Sequence, residues 1–478
     1  MDYMLNEPTY LVHDYETFGK NPALDRPAQF ASLRVNKDLR ILSKPQVFLC
    51  SPANDYLPDP EAVLIHGITP QQTLRDGVIE SAFARRIHQL FNTPNTCILG
   101  YNNISFDDEF SRHLFYRNFY DPYSWSWQKG NSRWDILNIV RACYALRPEG
   151  IKWPSNDKGQ PSFRLEDLTL ANGIKHYHAH DAMSDVYATL AIAKLIRQMQ
   201  PKLFDYFYQY RRKQQLKLLI DISAMKPLIY ISAIFGLIRS NIALVAPLAW
   251  HPANPNAIIV CDLSGDVQIL ANLDNDILRS RLYTKYNDTM NHDTNAVPLQ
   301  IIYLNKCPAL APAHTLRTLD AERLGIKIKH CINNLIWLRK QSGLKEKIIM
   351  LFNETKHFTS SEDVDAQLYD AFFSRSERTS MELILSTPPE HIRSLEKFFT
   401  DPRLQPLLFR YRARNFPSTL NQDEHLKWLQ YRKTRFNQKI IESYLDKLKI
   451  LSVTHKNCNK KTHLLNKLYL YVHEYFIH

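Results

Sequence analysis

Glycine is the scarcest resource of this chain, with 12 in 478 residues, about 2.5% against the ~7% of an average protein. That argues against glycine-rich phosphate cradles, and neither Gly-x-Gly-x-x-Gly nor the Walker pattern occurs. Cysteine is sparse, odd in number and scattered, at positions 50, 97, 143, 261, 307, 331 and 458, with no Cys-x-x-Cys. This argues against a disulfide framework or a cysteine zinc site and for a reducing compartment. Long apolar runs are missing too. The longest covers residues 227–238, 12 residues between Lys226 and Arg239, well short of the ~20 that span a bilayer. The first residues, Met-Asp-Tyr-Met-Leu-Asn-Glu-Pro, have neither the basic nor the apolar region of a signal peptide. The expectation is a cytoplasmic protein with no membrane association.

What is present is ordinary in amount and unusual in arrangement. Hydrophobic residues make up 45% and charged residues 23%, the balance of a folded globular protein, and the length calls for two to four domains. The net charge is +12. Residues 1–200 hold 21 Lys and Arg against 22 Asp and Glu, whereas residues 201–478 hold 39 against 26. A near-neutral, acid-bearing part joined to a basic body suits a polyanionic substrate and metal-assisted chemistry. The alternative is that the cations only keep a large protein in solution.

Hydrophobic periodicity predicts strands at 10–13, 29–35 and 46–50, a loop region punctuated by Pro58, Pro60 and Pro70, a helix at 80–91 and a buried strand at 96–101. Helices follow at 134–145, 165–171 and 182–199, the last stopped by Pro201. Strands followed by alternating strands and helices indicate an α/β layer domain over 1–200. β-branched runs at 227–232, 243–248, 257–260 and 297–304 predict a small β domain, trailing into helix at 317–338 and ending near 354. Residues 355–478 read as helical, with segments at 364–373, 380–385, 391–399, 424–433, 438–451 and 462–476.

The chemistry gathers in the first part. An apolar run leads into Asp14-Tyr15-Glu16; on a strand the two acids share a face about 7 Å apart. Two carboxylates so placed are either solvated or hold a hard, oxygen-loving cation such as Mg²⁺. Asp107 follows a strand in Asn103-x-x-Phe106-Asp107, where α/β sheets put their sites. In His180-Asp181-Ala182-Met183-Ser184-Asp185, Asp181 is positioned to cap the next helix, Asp185 lies on its first turn, and His180 on the loop before it. Each piece has a plain alternative: a solvated strand end, an acid-favouring helix N-terminus, or one of several exposed histidines beside His176 and His178.

The joint order Asp-x-Glu, Asn-x-x-Phe-Asp, His-x-x-x-x-Asp resembles the DEDD exonuclease superfamily in its histidine subgroup. The strings His13–Gly19, Leu24–Phe30, Leu99–Asn103, Ser162–Glu166, 179–188 and 409–417 are similar to the bacterial exodeoxyribonuclease I family, over essentially the whole chain and least from about Val453 on. The resemblance implies a ribonuclease-H-like exonuclease domain (1–200), an SH3-like β domain with a helical extension (201–354) and a helical C-terminal domain (355–478), together forming a groove for one DNA strand. It implies 3′-to-5′ removal of 5′-mononucleotides from single-stranded DNA, processively, in DNA repair and recombination. It also implies two Mg²⁺ ions, replaceable by Mn²⁺, held by Asp14, Glu16, Asp107 and Asp185, with His180 as general base. Glu16 would also touch substrate.

Arg164 is the candidate phosphate contact near the 3′ end. Residues 409–417 interleave Arg410, Arg412 and Arg414 with Phe409, Tyr411 and Phe416, a pattern that suits strand binding by stacking and charge or, equally, a cationic face on a core segment. Lys226 is a further candidate strand contact. The resemblance also implies that the protein acts as a monomer and docks the acidic tail of single-stranded-DNA-binding protein, for which Arg147, Arg317 and Arg339 are the candidates; Pro312 stands where a polar side chain would be expected. An exoribonuclease or a non-catalytic strand-binding scaffold are the competing readings.

Overall fold

The strand carrying Asp14 and Glu16 is the centre of its sheet. In the computed structural model, which describes residues 7–176, 179–282, 296–353 and 359–477, the chain forms two compact units: Met1–Ser132 with His176–Leu190 and Thr359–His478, and Arg133–Lys175 with Ala191–Phe358. His178 lies outside the described residues.

In the first unit β1 (Thr9–Thr17) pairs antiparallel with β2 (Pro27–Asn36), and β2 with β3 (Gln46–Leu49). On its other side β1 pairs in parallel with β4 (Thr96–Gly100), from Thr9↔Thr96 to Val12↔Leu99. Being central, β1 is buried on both faces from Tyr10 to His13. Pro60 and Pro70 do not mark loop. They open the short helices α1 (Pro60–His66) and α2 (Pro70–Asp76), behind the caps Asp59 and Thr69, because a first-turn proline gives up no helical hydrogen bond. Helix α3 (Glu80–Phe91) then lays Phe83, Ile87 and Phe91 against Leu11, Tyr15, Phe30 and Ile98, the i, i+4, i+8 stripe that its sequence carries.

Helix α4 (Asp107–Arg117) begins with three acids in its first turn, where the helix dipole favours them. The segment at 134–145 divides differently from the expectation. Trp134 belongs to strand β5 (Ser132–Asp135), and Asp135 caps helix α5 (Ile136–Leu146) by accepting the Leu137 N–H. Helices α6 (Leu165–Ala171) and α7 (Ala182–Met199) lie where periodicity puts them. Pro201 does not merely stop α7: it is the first residue of α8 (Pro201–Gln209).

The second unit contains an antiparallel sheet in the order β10-β6-β7-β8-β9. Its strands are β6 (Leu228–Ile231), β7 (Ile242–Trp250), β8 (Ala257–Asp262), β9 (Leu299–Tyr303) and β10 (Ala309–Pro312). Pro247, inside β7, sits at a register shift between Pro247 and Ala249, where a missing N–H is tolerated. Leu228, Val245, Ile258, Val260 and Leu310 form its core. The C-terminal part of the chain is helical at Arg375–Ser386, Leu404–Asn415, Gln422–Arg435, Gln438–Thr454 and Asn459–Tyr475. Two of the expected α-helices there, at 364–373 and 391–399, are 3₁₀ turns, Val364–Tyr369 and Ile392–Phe398. No described helix is long and apolar enough to cross a membrane.

Candidate active site

The pairing of β1 with β4 ends at Val12, so the Tyr15 N–H on that side needs another acceptor. Asp107 supplies it: its Oδ1 accepts the Tyr15 N–H at 3.1 Å. The Tyr15 hydroxyl lies 2.9 Å from Ser111 Oγ, which fastens the strand to the helix that carries Asp107. At Gly100, the end of β4, a Cβ would stand 2.7 Å from Asn103 Cβ, so the turn toward Asp107 closes only around glycine.

Alternation along β1 sends His13 and Tyr15 to one face and Asp14 and Glu16 to the other. Tyr15 enters the core with Phe30 and Phe83, and His13 Nδ1–H donates to the Leu99 carbonyl at 3.1 Å. Asp14 is half-buried and Glu16 buried. Across the ladder, Gln29 is the direct partner of Glu16. Its Oε1 accepts the Ala182 N–H at 3.1 Å, and its amide Nε2 lies 3.4 Å from Asp181 Oδ1. Asp181 caps α7 through the Ser184 N–H at 3.1 Å, as the sequence indicates. His180, just before it, has φ +65°, a left-handed conformation that reverses the chain into the helix.

Glu16, His180 and Asp185 thereby offer donor atoms that all lie within 4.8 Å of one another. Desolvation and then Asp185 and Asp107 push the Glu16 carboxyl up to about 9. Desolvation, followed by Asp107, Glu16 and Asp185, raises Asp14 well above the usual carboxylate range. Asp185 is raised by desolvation and held back by His176 and His180. Four mutually repelling acids fit a divalent cation, which removes the repulsion and takes oxygen donors, with the His180 imidazole close beside them.

His176 corrects the expectation of an exposed histidine. Its side chain is 4% exposed, with Nε2 2.5 Å from Asp185 Oδ1. Nothing in the local sequence announces this, since the two meet across the turn before α7. Gln29 was legible only through the strand register that sets it opposite Glu16.

The candidate strand contacts fare differently. Arg412 is 1% exposed and forms a fork on Glu424 at 2.7 and 3.2 Å. Arg414 is buried between Asp55 and Asp365, at 2.8 and 2.7 Å, and Arg410 faces Asp363 and Asp365. Arg412 and Arg414 are internal ion-pair partners and Arg410 is ion-paired with its side chain 13% exposed, which favours the reading of 409–417 as a core segment with cationic residues over that of a strand-binding stripe. Asp365 also meets Arg26 at 3.0 Å, so Leu404–Asn415 and the loop after β1 share one buried charge cluster.

Arg164 belongs to the second unit, with its side chain 71% exposed and 3.4 Å from Glu166. Lys226 is exposed just before β6. Arg317 bridges Glu149 and Asp320, each at 2.5 Å. Arg147 donates to the Thr315 carbonyl at 3.0 Å, and Arg339 to the Ala224 carbonyl at 2.7 and 3.1 Å.

An acidic cluster of this kind, on the central strand of a mixed sheet and two helix starts beside it, is what a metal-dependent nuclease domain presents, and residues 11–193 match the family described as "Exonuclease". Residues 211–354 match "Exonuclease I SH3-like domain" and 362–475 "Exonuclease I C-terminal domain". The chain is 54% identical to exodeoxyribonuclease I of Escherichia coli K12 over 98% of both chains, and 48% identical to that of Haemophilus influenzae over 98% and 99%. E. coli exonuclease I in complex with a dA16 oligonucleotide superposes with a TM-score of 0.96 at 54% identity, over 98% of this chain and 100% of that one. The zinc-bound form of the E. coli enzyme with single-stranded DNA gives 0.94 at 53%, over the same shares. The chain belongs to the exodeoxyribonuclease I family: it is a DNA exonuclease, with an exonuclease domain, an SH3-like domain and a helical C-terminal domain in that order.

Proposed function

We propose that this protein removes 5′-mononucleotides from the 3′ end of single-stranded DNA, one after another along the same strand, as a monomer in the cytoplasm during DNA repair and recombination. The observation that carries the chemical part is the convergence of Glu16, His180 and Asp185 within 4.8 Å, with Asp14 and Asp107 raising the local negative charge. The single-strand substrate is supported by the relatives, one of which is held in complex with a dA16 oligonucleotide; the polarity is what the family resemblance implies.

Two Mg²⁺ ions, or Mn²⁺ in their place, would be held by Asp14, Glu16, Asp107 and Asp185. Such ions, when bound, acidify a water and neutralise charge on the scissile phosphate and the leaving oxygen. The remaining work belongs to the chain. The Tyr15 N–H fixes the Asp107 carboxylate, and the helix start at Asp181 fixes Asp185. His180, on its loop, takes the proton from the attacking water as general base, a contribution of ~10²–10⁴ in rate. Arg164 would steady a phosphate near the 3′ end, and Lys226 is a further candidate strand contact. Arg147, Arg317 and Arg339 are the proposed docking residues for the acidic tail of single-stranded-DNA-binding protein. Of these, Arg339 donates to backbone carbonyls and is exposed, so it keeps an unneutralised charge to offer. The working domain divisions are near residues 200 and 355.

Digestion of single strands blocked at one end tests this reading. With Mg²⁺, a 3′-phosphorothioate cap should stop release of nucleotides and a 5′ block should not, and RNA of the same sequence should be cut poorly. Steady release from a 3′-blocked strand would refute the polarity, and equal digestion of RNA would refute the substrate.

A further inference from the structure

We propose that Gln29 is a positioning residue for this reaction: it locks the start of α7 onto the strand next to Glu16, and so sets His180 and Asp185 in register with the acids of β1. The inference rests on the proposed function, since it names what aligns that same site.

The two halves of the site come from distant parts of the chain. Asp14 and Glu16 ride on β1, whereas His180 and Asp185 flank the first turn of α7. Nothing in the covalent structure holds one opposite the other. Gln29 stands at the meeting point. It is the cross-strand partner of Glu16, so its side chain rises from the sheet on the face that carries Glu16. It is 9% exposed, and both ends of its amide are engaged. The carbonyl end accepts the Ala182 N–H, one of the free donors of the helix start. The NH₂ end faces Asp181 Oδ1, while the other oxygen of Asp181 accepts the Ser184 N–H. A primary amide is the group that serves here, because it must accept from a backbone N–H and donate to a carboxylate at once.

A carboxylate at position 29 would accept from Ala182 but face Asp181 with like charge, among acids that already repel one another. A slip of about 1 Å between α7 and β1 is enough to part Glu16 from Asp185 as common ligands and to move His180 away from them. Helix α7 would remain, since its own hydrogen bonds and its buried face with Val186, Leu190 and Ala193 are untouched. The predicted defect is therefore one of alignment.

The test uses the full-length protein and four variants: Gln29→Glu, Gln29→Met, Asp181→Asn and the exchange Gln29→Glu/Asp181→Asn. The exchange restores complementarity with the amide and the carboxylate swapped. Two quantities are read: the Mg²⁺ concentration that half-saturates the rise in melting temperature without DNA, and kcat on a long single strand. Gln29→Glu and Gln29→Met should each need about tenfold more Mg²⁺ and lose about 10–100-fold in kcat, the usual scale for a group that orients metal ligands, with KM little changed. The exchange variant should recover most of both. If Gln29→Glu does not fold, Gln29→Met decides by the same measurements. Wild-type values for the Gln29 variants, or an exchange variant no better than the worse single one, would overturn the inference. Asp185→Asn run alongside separates the two claims: if it stays active, the site reading itself fails, whereas if it is dead and the Gln29 variants are normal, only the positioning role fails.

Discussion

The Asp107 carboxylate accepts the backbone N–H of Tyr15 at 3.1 Å, at the one residue that separates Asp14 from Glu16. A side chain from the start of α4 thus completes the edge that β4 leaves open, and two elements 92 residues apart in sequence present their acids to one space. The bond depends on an oxygen acceptor, not on charge. Asp107→Asn should keep the anchor and lose the charge, so its melting temperature should lie close to wild type while nuclease activity collapses. Asp107→Ala should lose both, with an added cost of about 1–3 kcal/mol for the stranded Tyr15 amide. Thermal melts and single-strand digestion on the pair check this; equal melting temperatures for the two variants would contradict the anchoring role.

Glu16 makes the metal-free protein sensitive to alkali. Folded, its carboxyl is pushed up to about 9; unfolded, it ionises near 4.5. Between those values the folded state binds the extra proton, so stability falls as pH rises. A divalent ion removes the penalty, because the carboxylate is then the favoured form. Added Mg²⁺ should raise the melting temperature of chelator-treated protein more at pH 8.5 than at pH 6. A rise independent of pH would contradict this assignment.

The acid limb has a separate origin. Burial pushes His66, His88 and His113 down to about 4 each, against about 6.5 when unfolded. In that window the unfolded chain binds more protons, so stability is complete above pH 6.5 and drains away toward pH 4. Melting temperature should fall steeply between pH 6.5 and 4.5, and His→Gln at the three positions together should flatten the slope. An unchanged slope would place the acid sensitivity elsewhere.

The buried cluster around Asp365 predicts a structural phenotype. Asp365 is held well below the usual carboxylate range: burial opposes this, and Arg414, Arg26 and Arg410 outweigh it. Asp365→Asn leaves buried guanidinium groups short of a counter-charge and should cost on the order of 3–5 kcal/mol. Arg412→Met should disturb folding and leave the salt dependence of strand affinity unchanged, because a residue 1% exposed releases no counterions. Denaturant unfolding and oligonucleotide binding at several salt concentrations distinguish the two roles. A shallower salt slope for Arg412→Met would restore it as a phosphate contact.

The sequence was most legible where one local rule governs. Glu80–Phe91, Leu165–Ala171 and Ala182–Met199 are found at the residues where helical periodicity puts them. The acids proposed to hold metal were legible through their joint order, which resembles that of a known family; period two and the helix start fix only which way they point. Local pattern failed where the deciding partner is remote. Trp134 was misread because it adjoins the mostly apolar helix 136–146, with Asp135 alone between them to mark the helix start. The arginines of Leu404–Asn415 look like a nucleic-acid stripe until Asp55, Asp363, Asp365 and Glu424 are seen beside them. His176 gives no local sign that it reaches Asp185.

The most direct test of the account is nucleotide release from single-stranded DNA during a Mg²⁺ titration of chelator-treated protein, with Asp14→Asn and Asp185→Asn beside wild type and strand binding measured in parallel. The account predicts no release in chelator, recovery of the wild type with Mg²⁺, and no recovery for either variant although both still bind the strand. Release in chelator, or activity of both variants within about tenfold of wild type, a loss of under 1.4 kcal/mol of transition-state stabilisation, would contradict it.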